Sequence, residues 1–177
     1  MEHKIIIAGF GGQGVQSMGQ MLAYAGMLEG KGVSWLPSYG PEMRGGTTNC
    51  NVIIADGGVG SPVVTRATSV MALNLPSLDK FENSVVPGGD LYINSSLVDR
   101  KCARDDINVY YIPCNELAAQ IGNARVANIV MLGAFLEKSK AVSIQSVLDA
   151  IPGVLGERKK NLVPINKVAL EKGATLV

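Results

Sequence analysis

Glycines that follow the first apolar run of the chain give the segment best suited to hold an anionic ligand. Gly9, Gly11 and Gly14 match the spacing G-x-G-x-x-G, and Gly12 adds further backbone freedom. Glycine lets a chain turn sharply between a strand and a helix, and the N–H groups at the start of that helix can bind a phosphate. The loop formed by Gly11, Gly12, Gln13 and Gly14 is therefore predicted to contact a phosphate-bearing ligand.

The residues after this loop argue against an ordinary dinucleotide site. Such a site needs an acidic residue about 20 positions further on, which binds a ribose hydroxyl. The corresponding stretch, GVSWLPSYG, contains no Asp or Glu; Glu29 precedes it and Glu42 lies in the next loop. A P-loop is also excluded, since no Gly-Lys-Ser/Thr follows the glycines. A purely structural role, in which the glycines only permit tight packing of a strand against a helix, stays open.

A second loop, SYGPEMRGGTTN at 38–49, carries an arginine between a methionine and two glycines. The guanidinium of Arg44 suits a phosphate or a carboxylate, because it can donate two parallel hydrogen bonds. Loops that follow strands of the same direction lie at one edge of an open α/β sheet, so Arg44 is expected to face the glycine loop. Tyr39 and Asn49 are candidates to line the same cleft. An exposed ion pair of Arg44 with Glu42 is the alternative for the arginine.

Alternating strands and helices must position these loops. An all-apolar run at Ile5–Ala8 is typical of a central strand covered on both faces, and apolar residues recur at helical spacing from Val15 to near Gly30. The alternation predicts an α/β protein with three layers, α/β/α, around a Rossmann-like sheet that is mainly parallel, with a mixed sheet left open. We expect one domain over residues 1–177. Further strands are predicted at 33–36, 47–55, 69–73, 91–94 and 108–113, and further helices at 75–85, 124–138, 143–151 and 156–173. Ser143 is expected to be the N-cap of the third of these helices.

The first helix lacks charged residues, which is unusual for a helix on the surface of a monomer. No Asp, Glu, Lys or Arg occurs in residues 5–28, and the residues assigned to the outer side of the helix are Gln16, Ser17, Gly19 and Gln20. Charged residues are depleted at the centres of protein interfaces. The helix is therefore either neutral by chance or the surface on which another subunit packs.

Composition and charge disfavour several classes of function. The 16 basic and 15 acidic residues leave a net charge of +1, and aromatic residues make up 5% of the chain. Neither binding to a nucleic-acid backbone nor base stacking is favoured by these values. No apolar run is long enough to span a membrane. We expect a cytoplasmic protein that binds neither nucleic acid nor membranes.

The polar and sulfur-containing residues give no sign of a metal site or of a catalytic group. Cys50, Cys102 and Cys114 lack the spacing of zinc or iron–sulfur ligands. Cys50 and Cys114 lie in or beside predicted strands and are interpreted as small core residues. A single histidine, His3, leaves no basis for a nucleophile–histidine pair. The basic run ERKK at 157–160 is interpreted as a solvated surface, with a phosphate contact as the alternative. No catalytic residue and no metal ligand is assigned.

Several motifs together resemble one enzyme family. The segments GFGGQGVQSMGQMLAYAG, SYGPEMRGGTTNCNVIIAD and GSPVV, with ANIVMLGA further on, are similar to those of the gamma subunits of the 2-oxoacid:ferredoxin oxidoreductases. The joint occurrence of GGQG and PEMRGGT is more specific than either motif alone, and the resemblance covers essentially the whole chain. Members of that family decarboxylate a 2-oxoacid oxidatively, transfer the acyl group to coenzyme A and pass the electrons to ferredoxin.

The resemblance implies a division of labour between subunits. Thiamine diphosphate, Mg²⁺ and iron–sulfur clusters are expected in the alpha and beta partner subunits, or in a delta subunit where one is present. The gamma chain would be inactive alone and would help to enclose coenzyme A, with the glycine loop and Arg44 holding phosphate. The motifs look most like those of 2-oxoglutarate or 2-oxoisovalerate members, and 2-oxoglutarate is the expected substrate.

Two other functions are kept as alternatives. A non-catalytic assembly subunit of the same complex would explain the uncharged helix but not an exposed Arg44 beside glycines. A free-standing nucleotide-dependent reductase would have to bind NAD(P), and the missing acidic residue argues against it. A homodimer of the isolated chain through the uncharged helix also stays open.

Overall fold

A six-stranded sheet forms the centre of the protein. The computed structural model describes residues 1–38 and 46–177. Its strands are β1 (Glu2–Phe10), β2 (Gly32–Ser38), β3 (Thr47–Ala55), β4 (Ala67–Ala72), β5 (Val85–Asn94) and β6 (Asn108–Ile112). Its helices are α1 (Val15–Leu28), α2 (Leu75–Phe81), α3 (Cys114–Ile121), α4 (Ala127–Ser139), α5 (Ile144–Leu155) and α6 (Val163–Ala174). Short 3₁₀ turns lie at Glu82–Ser84, Ala124–Val126 and Glu157–Leu162.

The sheet is mixed, and its strands lie in the order β2-β3-β1-β4-β5-β6. β1, β4, β5 and β6 pair in parallel, whereas β3 runs antiparallel to both β1 and β2. Ile5 of β1 lies opposite Val52 of β3 on one side and Ser69 of β4 on the other. The predicted α/β fold with a mainly parallel sheet is confirmed, and β3 is the strand that makes the sheet mixed.

The central strand is apolar because helices cover both faces of the sheet. Ile5, Ile6 and Ile7 are at most 2% exposed. Ile5 and Ile7 belong to the apolar cluster to which α1, α3, α4, α5 and α6 contribute, whereas Ile6 shares the opposite cluster with Leu78 of α2. The three predicted layers are present, with five of the described helices on one face and one on the other.

The two helices that follow neighbouring strands leave the sheet on opposite faces. α1 follows β1, α2 follows β4, and β1 and β4 are adjacent. The chain therefore diverges above and below the sheet at the carboxyl ends of these two strands. A divergence of this kind leaves a crevice, which is where ligands bind in open α/β sheets.

The structure corrects the predicted helices of the second half of the chain. The last helix, predicted from Gly156, begins at Val163, because residues 157–162 form a 3₁₀ turn and Pro164 occupies the first turn of α6. The helix predicted at 124–138 likewise starts with a 3₁₀ turn and continues as α4. The eight-residue helix α3 was not predicted. None of the described helices combines the length and the apolar character needed to cross a bilayer.

The structure also corrects the outer side of α1. Gln16, Ser17 and Gln20 are half-buried, but Gly19 is buried in the core. A Cβ atom on Gly19 would lie 2.6 Å from Cys50 Sγ and 2.8 Å from the indole nitrogen of Trp35. Glycine is needed there because β2 and β3 approach the helix closely, so this residue contributes nothing to an outer surface.

Two glycines allow α4 and α6 to pack at a very short distance. A Cβ atom on Gly133 would lie 2.1 Å from the carbonyl oxygen of Leu170, and one on Gly173 would lie 1.9 Å from that of Val130. Real Cβ atoms do not approach a backbone oxygen so closely. The two helices can therefore keep this spacing only with glycine at both positions.

Gly133→Ala is expected to destabilise the protein, although alanine favours a helix more than glycine does. The added methyl group must push α6 away from α4, and overpacking of this kind costs about 1–3 kcal/mol. Chemical denaturation should therefore give a lower free energy of unfolding. Gly57→Ala is the control, because nothing lies within 4 Å of a Cβ atom at that position. Equal stability of the two variants would contradict this account of the helix contact.

An acidic side chain joins the end of α1 to the start of α5. The Glu29 carboxylate accepts a hydrogen bond of 2.7 Å from the backbone N–H of Ser143 and forms an ion pair of 3.2 Å with Lys31. Partial burial raises the pKa of the Glu29 carboxyl, but hydrogen bonds from Ser143, Ser146 and Lys31 outweigh this effect and lower the pKa to about 2. The predicted cap at Ser143 is confirmed, since its hydroxyl accepts a hydrogen bond of 3.0 Å from the Ser146 N–H.

This carboxylate should make part of the stability depend on pH. The folded-state pKa of Glu29 lies below the unfolded value of 4.5, so its contribution is complete above that value and is lost as the pH falls towards 2. Glu29→Gln should lower the free energy of unfolding by about 1 kcal/mol at neutral pH, as expected for a helix-start contact open to solvent. Denaturation over a pH series should show a flatter acid dependence than the wild type. Glu137→Gln, which removes a surface pair with Lys140, should keep the wild-type dependence.

Candidate functional site

The two loops singled out in the sequence lie at the same edge of the sheet. β1 and β2 run in the same direction, since each is antiparallel to β3. The Gly11 N–H donates a hydrogen bond of 3.0 Å to the carbonyl oxygen of Gly46, the residue just before β3. The glycine loop therefore contacts the end of the second loop, as predicted. Tyr39 and Arg44 lie outside the described residues.

The glycine loop requires glycine at two of its positions. Gly12 has φ 93° and Gly14 has φ 78°, and both lie in the left-handed region that favours glycine. Gly14 is the residue that precedes α1. A Cβ atom on Gly14 would lie 2.4 Å from Nδ2 of Asn128, which is in the first turn of α4. The loop thus permits both the turn into α1 and close contact with α4.

Gln13 holds the glycine loop in place through its side chain. Its Oε1 atom accepts a hydrogen bond of 2.6 Å from the Phe10 N–H, and its Nε2 atom donates one of 3.3 Å to the carbonyl oxygen of Leu73. Leu73 directly follows β4. The side chain therefore crosses from the loop after β1 to the end of β4, and its direct role is to fix the loop over the crevice.

The start of α1 is tied to β3 by a second glutamine. Gln16 Nε2 donates to Thr48 Oγ1 at 2.9 Å and to the carbonyl oxygen of Asn49 at 3.0 Å. Thr48 lines a hollow of about 280 Å³ beside the glycine loop, together with Gly11. The Asn49 side chain faces away from α1, because side chains alternate along β3 and Cys50 faces α1. The backbone of Asn49 supports the site, and a ligand contact by its side chain stays a prediction.

The N-terminal ends of α1 and α4 meet at the glycine loop. α1 has no capping side chain, and the 3₁₀ turn that leads into α4 is capped by Asn123. Neither helix has an acidic residue in its first turn. The first N–H groups of a helix lack partners within the helix and carry partial positive charge. Two such ends that point to one crevice make it attractive to an anion.

A cavity of about 460 Å³ lies between the glycine loop and the C-terminal part of the chain. Gly12, Gly14 and Ser17 line one side of this main cavity, and Arg125 and Lys159 bring positive charge to it. None of the described residues that line it is a carboxylate. Its volume is within the range of pockets that hold cofactors.

A smaller hollow of about 210 Å³ continues from the main cavity towards the ends of β4 and β5. Gly12 and Arg125 border both spaces, and the hollow is otherwise lined largely by amide side chains, including Asn94 and Asn115. Asn94 is buried and donates to Asn115 Oδ1 at 2.9 Å. The described residues that line this hollow also include no carboxylate.

Arg125 was missed in the sequence, and Lys159 was interpreted as part of a solvated surface. Arg125 had a detectable signal, because a cation at the start of a helix opposes the helix dipole and is unfavourable without another function. Lys159 gave no such signal. It lines the cavity only because the 3₁₀ turn at 157–162 brings it opposite the glycine loop.

The buried cysteines take no part in nucleophilic chemistry. Burial raises the pKa of the Cys50 thiol to about 12, although a contact with Trp35 lowers it in part. Burial also raises the pKa of the Cys114 thiol. Both thiols are therefore protonated at neutral pH and cannot attack as thiolates. The sequence interpretation of both as small core residues is confirmed.

Comparison with known proteins gives the family of the chain. The sequence pattern of the pyruvate ferredoxin/flavodoxin oxidoreductase family matches residues 4–176. The chain therefore belongs to this family. Within it, the relatives and solved structures correspond to the 2-oxoacid:ferredoxin oxidoreductase gamma subunits that the sequence motifs resemble.

Two relatives are named after different oxoacids. The chain is 40% identical to the ketoisovalerate oxidoreductase subunit VorA of Methanothermobacter thermautotrophicus over 98% of its own length. It spans only about a third of that relative, 36% of its length. It is 34% identical to the 2-oxoglutarate synthase subunit KorC of Methanocaldococcus jannaschii, over 94% of this chain and 92% of the relative.

Two solved structures share the fold over nearly the whole chain. The keto/oxoacid ferredoxin oxidoreductase gamma subunit of Geobacter sulfurreducens superposes with a TM-score of 0.82 at 30% identity, over 98% of this chain and 96% of that one. The 2-oxoglutarate:ferredoxin oxidoreductase of Magnetococcus marinus, with 2-oxoglutarate, coenzyme A and succinyl-CoA bound, gives a TM-score of 0.88. It is 22% identical, and the match covers 99% of this chain and 31% of that chain.

Removal of the Gln13 side chain should loosen the glycine loop without unfolding the protein. Gln13→Ala loses hydrogen bonds to Phe10 and Leu73, which should cost about 1–2 kcal/mol in local stability. Hydrogen exchange of the amides in residues 10–17 should become faster, by about tenfold for a loss near 1.4 kcal/mol. Gln20→Ala, a change of the same side chain further along α1, should leave these amides protected. Unchanged exchange in Gln13→Ala would show that the glutamine does not fix the loop.

Proposed function

We propose that this chain is the gamma subunit of a 2-oxoacid:ferredoxin oxidoreductase and forms part of its coenzyme A site. The observation that carries the proposal is the crevice at the glycine loop. Two helix starts without acidic residues and two cations border it, and no carboxylate does so among the described residues. Such a crevice favours a phosphate-bearing ligand over a cationic or a neutral one.

Coenzyme A is the phosphate-bearing reactant of the reaction that the family relation implies. Within the Gly11–Gly14 loop, the N–H groups of Gly12 and Gly14 are available to its pyrophosphate, because those of Gly11 and Gln13 already donate to backbone carbonyl oxygens. The missing ribose-binding acid matters less for coenzyme A than for NAD. The M. marinus enzyme, which has the same fold in one part of its chain, holds coenzyme A. Phosphate contacts by Arg44, Tyr39 and the Asn49 side chain remain predictions of the sequence.

The remaining chemistry is assigned to partner subunits. Thiamine diphosphate, Mg²⁺ and iron–sulfur clusters would be held by alpha and beta subunits, or by a delta subunit where one is present, with ferredoxin as the electron acceptor. This chain is expected to be a single domain in the cytoplasm and to be inactive alone. A groove of about 340 Å³ beside the edge strand β2, lined by Tyr24, Met27 and Trp35, is the surface proposed for the partner subunits.

Two oxoacids are kept as candidate substrates. The expected 2-oxoglutarate agrees with the relative named KorC, whereas the higher identity to VorA favours 2-oxoisovalerate. The sequence motifs are compatible with either. Oxoacid-dependent viologen reduction by the assembled complex, with each oxoacid in turn, distinguishes the two.

The alternatives predict other behaviour at the same crevice. A non-catalytic assembly subunit would not need a cavity that has two cations and no carboxylate among its described lining residues. Under that alternative, a substitution in the cavity would leave the affinity for coenzyme A unchanged. A free-standing reductase would bind NAD(P), and the end of β2 offers no acidic residue for the ribose.

A new carboxylate in the first turn of α1 tests the proposal. Ser17 lines the main cavity and is the third residue of α1, where the helix dipole stabilises an acidic side chain. Ser17→Asp should therefore keep or slightly raise the stability of the chain and yet repel coenzyme A. We expect the KM for coenzyme A to rise about tenfold in viologen reduction by the assembled complex, by charge repulsion over a few ångströms.

Ser17→Asn is the matched control, because it has the shape of the aspartate without its charge. Its KM for coenzyme A should stay near the wild-type value, and the KM for the oxoacid should be unchanged in both variants. An equal KM for coenzyme A in the wild type and Ser17→Asp would contradict a role of this crevice in coenzyme A binding and would favour the assembly role.

A further inference from the structure

We propose that Lys159, with Arg125, forms a second anion subsite that binds the 3′-phosphate of coenzyme A, apart from the pyrophosphate at the glycine loop. The inference rests on the proposed function and goes beyond it. It assigns two cationic side chains to one phosphate group of the ligand. These side chains would then favour coenzyme A over nucleotides that lack this phosphate.

The structure fixes Lys159 opposite the glycine loop. Lys159 lies in the 3₁₀ turn Glu157–Leu162 and lines the main cavity together with Gly12 and Gly14. Asn166 of α6, which is only 4% exposed, lines the same cavity and donates Nδ2 to the Leu162 carbonyl oxygen at 2.7 Å. This hydrogen bond holds the end of the turn against α6.

The charges in the turn leave Lys159 available for a ligand. Lys160 forms an ion pair with Glu157, and it does not line the cavity. Lys159 forms no ion pair with a described carboxylate. Both lysines are exposed, but Lys160 is paired with a carboxylate, whereas Lys159 lines the cavity.

Arg125 supplies the second cation of this subsite. Its backbone N–H donates a hydrogen bond of 3.0 Å to Asn123 Oδ1, and this cap fixes the turn before α4. Arg125 borders both the main cavity and the smaller amide-lined hollow. A guanidinium in this position can donate two hydrogen bonds to one phosphate.

Two separate anion-binding elements call for a ligand with two separate phosphate groups. The glycine loop and the start of α1 offer backbone N–H groups on one wall, and Lys159 and Arg125 offer side-chain charges on the other. A nucleotide with a 5′-pyrophosphate and a 3′-phosphate matches both, whereas one without the 3′-phosphate uses only the first. The arrangement thus explains a second cationic wall that a pyrophosphate alone would not require.

The test compares coenzyme A with 3′-dephospho-coenzyme A in the assembled complex. Lys159→Gln should raise the KM for coenzyme A about tenfold, the effect expected of one lost charge-assisted hydrogen bond, and leave the KM for the dephospho form unchanged. The kcat at saturating acceptor should be unchanged with both. In calorimetry with the full chain, Lys159→Gln should weaken binding of adenosine 3′,5′-bisphosphate and not that of adenosine 5′-monophosphate.

Lys160→Gln is the matched control, because it removes the same charge one residue further on and should change neither KM. An equal rise of both KM values in Lys159→Gln would overturn the assignment to the 3′-phosphate. Unchanged KM values in Lys159→Gln, together with a raised KM for coenzyme A in Ser17→Asp, would overturn the subsite and leave the proposed function standing. Unchanged values in both variants would overturn the two together.

Discussion

The close approach between Gly14 and Asn128 is the constraint on which the rest of the cleft depends. Any side chain at position 14 would collide with the Asn128 amide, since even a Cβ atom would lie 2.4 Å from it. With glycine there, α1 and α4 begin side by side although 112 residues of sequence separate their first residues, Val15 and Ala127. β1 places α1, and α1 in turn defines where α4 can start. The glycine loop is therefore needed for packing as well as being the proposed phosphate-binding element.

The described charges that line the cavity all have the same sign, and their sum matters more than any one of them. Each helix start is worth only about 0.3–1 kcal/mol to a nearby anion, and an exposed cation gives little alone. Two helix starts, Arg125 and Lys159 nevertheless add up, because no described carboxylate that lines the cavity offsets them. The protein tolerates these unfavourable charges because its stability comes from elsewhere, above all from the buried centre of β1, Ile5–Ala8, and the helices packed on it.

Local chemistry in the sequence was enough to predict the glycine loop, the α/β fold and the Ser143 cap, because each rests on residues close together in the chain. The direction of β3 could not be predicted, since antiparallel pairing with β1 depends on contacts between distant segments. Lys159 and Arg125 were not recognised as neighbours for the same reason: 34 positions separate them in sequence, and only the packing of α6 on α4 brings them to one cavity. Gly19 was placed outside because spacing alone cannot show how closely Trp35 and Cys50 approach α1.

The glycine contacts between α4 and α6 also affect the positions of the two turns that carry the cations. Arg125 lies in the turn that leads into α4, and Lys159 lies in the turn that leads into α6. Because Gly133 and Gly173 each receive a backbone carbonyl of the other helix, neither helix can slide along its neighbour. The backbone of the two turns is therefore held in place by the contact between the helices. The exposed side chains of Arg125 and Lys159 can then adjust to a ligand while the backbone that carries them stays where it is.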